Sequence, residues 1–138
     1  MKILNVFLIL GIVLSCQNQQ SLEGNYFVCD NGIYSEIYFK NDSMRVASDS
    51  KWISLSEWIK IEIKNDTLYF DSFGEWREPR KVAIKYVGQE KIKLRNLENN
   101  KELHLQPLQE DLNFEKPKEF WTSFINRQNL NDCEPISN

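Results

Sequence analysis

The sequence predicts an all-β chain, an antiparallel eight-stranded up-and-down barrel with a helix at its C-terminal end. Three observations carry this prediction. Apolar and polar residues alternate with period two, between turn signals, from residue 25 to residue 106. A hairpin pattern with Asn-Asp at its turn occurs twice at an offset of 24 residues. After Pro117 the apolar spacing changes to that of a helix.

The strands follow in order. Asn25 to Cys29 is the first, entered through Gly24. In Ile33 to Lys40, Ile33, Ser35, Ile37 and Phe39 share one face, and Glu36 and Lys40 share the other, which reads as the polar face. Asn41-Asp42 turns the chain, and Met44 and Val46 resume the apolar face. From Trp58 to Lys64, Ile59, Ile61 and Ile63 alternate with Lys60, Glu62 and Lys64. Asn65-Asp66 turns again, and Leu68 and Phe70 return. Asn and Asp tolerate positive φ, so each pair suits a tight hairpin turn without glycine. Val82, Ile84 and Tyr86 form the sixth strand, which ends at Gly88. Ile92 and Leu94 oppose Lys91, Lys93 and Arg95 in the seventh. Asn99-Asn100 leads into Leu103 and Leu105. From about 117 to 128, Phe120, Trp121, Phe124 and Ile125 form a helical stripe, with Ser123 and Arg127 among the polar positions between them. Pro117 suits a first helical turn.

Such a meander removes its exposed edges by closing on itself. A two-layer sandwich and a curved, incompletely closed sheet are the alternatives. Closure turns Ile37, Phe39, Ile59, Ile61, Ile63, Leu68, Phe70, Ile84, Ile92, Leu94, Leu103 and Leu105 inward, so any pocket should be shallow and lie toward one end.

The chain has 138 residues, which fits one domain, and 12% aromatic content, which argues against disorder. Its formal net charge of -3 disfavours a nucleic-acid partner, because phosphate binding needs an excess of Lys and Arg. One His, and no cysteine pair at metal spacing, speak against a zinc site, and no cofactor is expected.

The N-terminal segment reads as an address. Lys2 gives a positive start and Val6 to Leu14 an apolar run, too short to span a bilayer but suited to a secretory signal. Val13-Leu14-Ser15-Cys16 then resembles the bacterial lipobox. That resemblance implies diacylglyceryl transfer to the Cys16 sulfur, cleavage just before it, and acylation of the new amino terminus, for instance by palmitate. The chain thus divides into a signal peptide (1–15), a lipidated Cys and tether (16–21), and a folded domain (22–138). The expected place is the bacterial envelope, anchored to a membrane by lipid. The residue after Cys16 is not Asp, which by analogy with known sorting rules points to the outer membrane, facing the periplasm. In an oxidising compartment the remaining Cys29 and Cys133 either pair or stand as two separate buried thiols.

Leu22-Glu23-Gly24-Asn25-Tyr26 resembles the Gly-x-Trp signature that opens lipocalins, with Tyr26 in place of Trp. The order of lipobox, tether, strand meander and helix is similar to that of bacterial lipocalin-like lipoproteins. The resemblance implies a ligand-binding barrel, and a Cys29–Cys133 bond would imitate the disulfide that fastens the lipocalin tail.

A search for catalytic groups returns little. The register places His104 on the outside with Glu102 and Gln106. Glu75 and Glu78 interleave with Arg77 and Arg80, which reads as a solvated loop, and there is no phosphate loop or nucleophile elbow. Lys91, Lys93 and Arg95 read as a solvent face. Asp42-Ser43-Met44 and Asp66-Thr67-Leu68 resemble a bacterial O-glycosylation motif, and each is equally a turn-to-strand junction. No enzyme activity is expected. The expected function is non-covalent binding of a small apolar or amphipathic molecule by a monomer. Ser35 and Tyr86 are inward polar groups that could orient such a ligand, and Trp58 or Trp76, with Trp52, could rim the opening. The alternative is a module that binds or inhibits another envelope protein through its loops.

Overall fold

A computed structural model describes residues 21–50, 54–87 and 90–133. Eight strands follow one another: β1 (Gly24–Asp30), β2 (Ile33–Lys40), β3 (Ser43–Ser48), β4 (Ile59–Lys64), β5 (Thr67–Asp71), β6 (Pro79–Val87), β7 (Lys91–Asn96) and β8 (Glu102–Leu108). Each pairs antiparallel with the next. β8 returns to β1 through Asn25↔Leu108, Tyr26↔Pro107 and Phe27↔Gln106, so the barrel is closed and neither a sandwich nor an open sheet forms. Helix α1 (Pro117–Leu130) follows, two residues longer than the apolar stripe predicts. The predicted signal peptide, Cys16 and Trp52 lie outside the described residues.

The turns explain the regular meander. Asn41 and Asp42 have φ of 49° and 53°, and Asn65 and Asp66 have 49° and 55°. Two consecutive positive φ values match the right-handed twist of the flanking strands, so the repeated Asn-Asp pair fixes the register of both hairpins. Asn31 and Gly32 do the same between β1 and β2, with φ of 51° and 79°. The narrowest seam joins β3 to β4, through Ser43↔Lys60 and Met44↔Ile59 alone, supplemented by a bridge between Ala47 and Leu55.

All twelve residues expected to point inward belong to the barrel core, joined by Leu22, Val28 and Met44 among the buried residues. Leu22 precedes β1 and packs into the barrel end at which the chain enters. We call that end, with the β2–β3, β4–β5 and β6–β7 turns, the closed end.

One face departs from the expectation. β2 is buried on both sides: Ile37 and Phe39 face the core, while Tyr34, Glu36 and Tyr38 lie beneath α1. Phe120 and Phe124 of α1 complete this second core, with Ala47 of β3 and with Phe27, Leu112, Phe114 and Trp121 at its margins. Glu36 is thus not on a solvated face. Arg127, expected among the polar positions of the helix, is buried against it, whereas Ile125, expected in the stripe, is 50% exposed. The buried helix positions 120, 124 and 127 follow the spacing i, i+4, i+7, so the contact face is rotated away from Ile125. Cys29 and Cys133 form a disulfide that fastens the chain just beyond α1 to β1, so the two are not separate thiols.

Candidate functional site

Alternation along six strands leaves a gap in the interior. Ile37, Met44, Val46, Leu68, Phe70, Val82, Leu94 and Leu103 line a cavity of about 250 Å³, and Phe73 of the β5–β6 loop closes over it. Its rim is polar: Asp30 and Lys101 pair at 2.5 Å, and Asn96 stands beside them. These rim residues end β1, end β7 and precede β8, so the mouth lies opposite the closed end. The interior toward the closed end is filled by Tyr26, Phe39, Ile59, Ile84, Ile92 and Leu105. A pocket at one end is what an inward set so rich in Ile, Leu and Phe leaves open. Its walls can hold an apolar group by excluding water, and the rim can meet a polar head.

None of Ser35, Trp58, Trp76 and Tyr86 lines this cavity. The Ser35 hydroxyl bonds to that of Ser48 at 3.0 Å across the β2–β3 pair. Tyr86 lies toward the closed end, two residues beyond Ile84 and away from Val82 at the cavity. Its hydroxyl is held above the usual tyrosine range by burial and by Asp66. Trp58 sits on the outside, edge-on to Phe114 at 5.8 Å, with the Arg45 guanidinium over its ring. Trp76, near the mouth, is 87% exposed and covers nothing. Phe73 is the loop aromatic that meets the cavity, beside Phe70 of β5. Its neighbour Gly74 has φ of 99°, which turns the chain back toward β6. A Phe-Gly pair in a loop was the available signal for it. Of the residues expected to point inward, Ile37, Leu68, Phe70, Leu94 and Leu103 line it, while Ile61 and Ile84 are packed in the core.

A larger groove, about 860 Å³, runs outside the barrel between the β2–β3 hairpin and residues 111–115, with Trp58 and Arg45 on its wall. Lys40, Glu23, Asp111 and Glu115 make it a mixed, solvent-open surface. We favour the smaller cavity as a ligand site, because only its walls are continuous and apolar.

The second core holds the strongest electrostatic feature. Glu36 accepts from Tyr34 at 2.6 Å, from Tyr38, and from Arg127 at 2.7 and 2.9 Å. Arg127 also reaches Glu110 at 2.9 Å. Burial holds both tyrosines protonated, reinforced by the neighbouring carboxylate. Burial opposes the Arg127 charge, but Glu36 and Glu110 outweigh it and raise its pKa. Every oxygen of the Glu36 carboxylate is satisfied from within, so this cluster serves as a structural tie.

His104 is outside, 3.7 Å from Glu102, as its register indicates. Glu75 and Glu78 are exposed, and Glu78 pairs with Arg80 at 2.6 Å. Ser43 and Thr67 are half-buried at the equivalent hairpin junctions, each hydroxyl directed to the carbonyl of the turn's Asn. Among the described residues no group of three His, Cys, Asp or Glu is arranged to hold a metal, and no helix is long and apolar enough to cross a membrane.

The fold and cavity define a closed eight-stranded up-and-down barrel with a small apolar pocket at one end. Comparison with family models, with curated proteins and with solved structures gives no match to this chain.

Proposed function

We propose that this protein is a lipid-anchored lipoprotein of the bacterial envelope whose barrel binds a small apolar or amphipathic molecule non-covalently. The apolar cavity of about 250 Å³ carries this reading. It falls just below the roughly 300–1,000 Å³ typical of drug-sized ligand pockets, so it fits an apolar chain end or a small ring rather than a whole large lipid. The Asp30–Lys101 pair and Asn96 at the mouth suit an amphipathic molecule whose head stays at the rim. The lipobox resemblance of Val13 to Cys16 supports anchoring, and outer-membrane attachment facing the periplasm is part of the same proposal. The lipocalin resemblance at Gly24 to Tyr26 supports a binding rather than a catalytic role.

The test is a titration of fatty acids of increasing length and of a polarity-sensitive dye into the chain from residue 16 carrying Cys16→Ser. Saturable dye fluorescence, displaced by fatty acid and weakened by filling the cavity with Val46→Trp, is the expected result. Failure of all ligands to bind would favour the second reading, a protein-interaction module. That reading rests on Trp76, Ile33 and Leu97, three exposed apolar side chains around the mouth.

A further inference from the structure

The outer face of β6 and β7 has an unusual charge pattern. Residues 81, 83, 85 and 87 of β6 point outward, as do 91, 93 and 95 of β7, by alternation from the inward Val82, Ile84, Ile92 and Leu94. Every ionisable residue among them is a cation: Lys81, Lys85, Lys91, Lys93 and Arg95. The acidic chain as a whole, with 20 Asp and Glu against 17 Lys and Arg, concentrates positive charge on this one side. Lys85 and Lys93 stand directly opposite each other across the β6–β7 pair, an arrangement that like charges disfavour. Lys93 is compensated by Glu102 at 2.9 Å, and the Glu102 carboxyl is held below its usual range by that lysine. Among the described residues, Lys85 and Lys91 have no carboxylate within ion-pair distance.

Exposed apolar groups sit among these cations. Tyr69 on β5 lies opposite Lys81, and Val87 lies opposite Lys91; both are exposed. Lys85, Tyr86, Val87, Lys91, Lys93 and His104 surround a shallow depression of about 450 Å³. Asp66, in the β4–β5 turn, is the carboxylate that acts on Tyr86 from the closed end. The opposite side of the barrel, β1 to β3, is covered by α1, so this is the bare side.

We propose that the β6–β7 face docks on the anionic headgroups of a membrane, laying the barrel on its side. Cations interleaved with a tyrosine and an aliphatic residue suit the headgroup boundary, where the ring and the methyls enter the interface while the ammoniums meet phosphate. The proposal deepens the lipoprotein reading by giving the anchored domain an orientation, but its chemistry does not require the anchor.

The test separates the two. The chain from residue 16 with Cys16→Ser keeps every described element and both disulfide cysteines, and cannot be held by acylation at Cys16. Its co-sedimentation is measured with vesicles of phosphatidylcholine alone and with phosphatidylglycerol added. Binding only to the anionic vesicles, suppressed by high salt, is expected. The triple variant Lys85→Gln, Lys91→Gln, Arg95→Gln should lose roughly tenfold or more in vesicle affinity. A control with Lys40→Gln, Lys116→Gln and Lys118→Gln should bind as before, and circular dichroism checks that both variants fold. Equal binding to neutral vesicles, no binding at low salt, or an unaffected triple variant would overturn the proposal. Preference for a soluble anionic polysaccharide over vesicles would overturn it in favour of a polyanion site. Failure of lipidation in cells with intact vesicle binding would remove the anchor reading and leave this one standing.

Discussion

Arg127 and Glu36, 91 residues apart in sequence, meet in a two-pronged ion pair between α1 and β2, with side chains 4% and 0% exposed. The guanidinium offers Nε and Nη2 to the two carboxylate oxygens, and Tyr34 and Tyr38 complete the shell. A buried pair gains stability from its geometry but loses the hydration of both charges, so the cost of breaking it exceeds its net worth.

Removing one partner should therefore be severe. Arg127→Met leaves Glu36 buried without its cation, and is expected to cost about 3–5 kcal/mol. Glu36→Leu leaves Arg127 buried with Glu110 as its remaining carboxylate, and should cost less. The double variant should be less destabilised than the sum of the two, because it removes both charges of the buried pair together. Urea midpoints of the three variants check this. Strict additivity would show that the two side chains act independently.

The tyrosines predict a limit at alkaline pH. Burial raises the pKa of Tyr34 and Tyr38 above the unfolded value near 10. A group with a raised folded pKa contributes stability that is complete below its unfolded pKa and is lost as pH rises toward the folded one. Stability should be flat with respect to these groups up to about pH 9 and fall steadily above about pH 10. Tyrosinate absorbance should show Tyr34 and Tyr38 ionising only as the fold opens. Full tyrosine ionisation in a folded chain would contradict this.

The barrel was legible because alternation, turn residues and the helical period all agree locally. Ile59 to Lys64 declares its two faces, and Asn65-Asp66 declares its turn, without reference to the rest of the chain. Glu36 was misread for a related reason. Alternation identifies which residues share a face, but a charged residue among Tyr34 and Tyr38 looks solvated until α1 is laid over it. The pairing with Arg127 spans 91 residues and leaves no local signal. The cavity was foreseen in kind, shallow and near one end, but not in its members. Phe73 comes from an irregular loop, and which inward side chains fall short of filling a barrel depends on strand stagger rather than on residue type.

The disulfide should matter through α1. It closes a loop of 104 residues between β1 and the segment after the helix. The chain-entropy model gives about 4.7 kcal/mol for a loop of this size, with measured effects often smaller. Cys29→Ala with Cys133→Ala should lower the urea midpoint and raise hydrogen exchange in α1 and β2 more than in β4 to β7. Uniform loss of protection would mean that the bond acts on the whole barrel rather than on the docked helix.

The proposed anchoring at Cys16 has a sharp test in cells. Two or three acyl chains, at about 0.8 kcal/mol per buried methylene, make membrane attachment effectively permanent. Cys16→Ala is expected to accumulate as an uncleaved precursor without labelled palmitate. Normal labelling of that variant would reject the lipobox assignment.

Ligand length should report the size of the cavity directly. Each methylene that enters the apolar pocket contributes about 0.8 kcal/mol, so affinity for straight-chain carboxylic acids should rise stepwise with length. The filled interior beyond Phe39 and Ile84 blocks further entry. The rise should therefore stop short of the length of hexadecanoate, leaving longer chains protruding past the rim. Val46→Trp, by occupying part of the cavity, should move this plateau to shorter chains, at a stability cost of about 1–3 kcal/mol if the ring fits poorly. Phe73→Ala should instead speed dissociation, since it removes the ring over the mouth while leaving the walls intact. Lys101→Met, which breaks the rim pair with Asp30, should weaken carboxylates more than alcohols of equal length. Calorimetric titration of the length series into the three variants measures all of these effects. An affinity that climbs without a plateau, or that is indifferent to Val46→Trp, would place the ligand on the outer surface of the barrel.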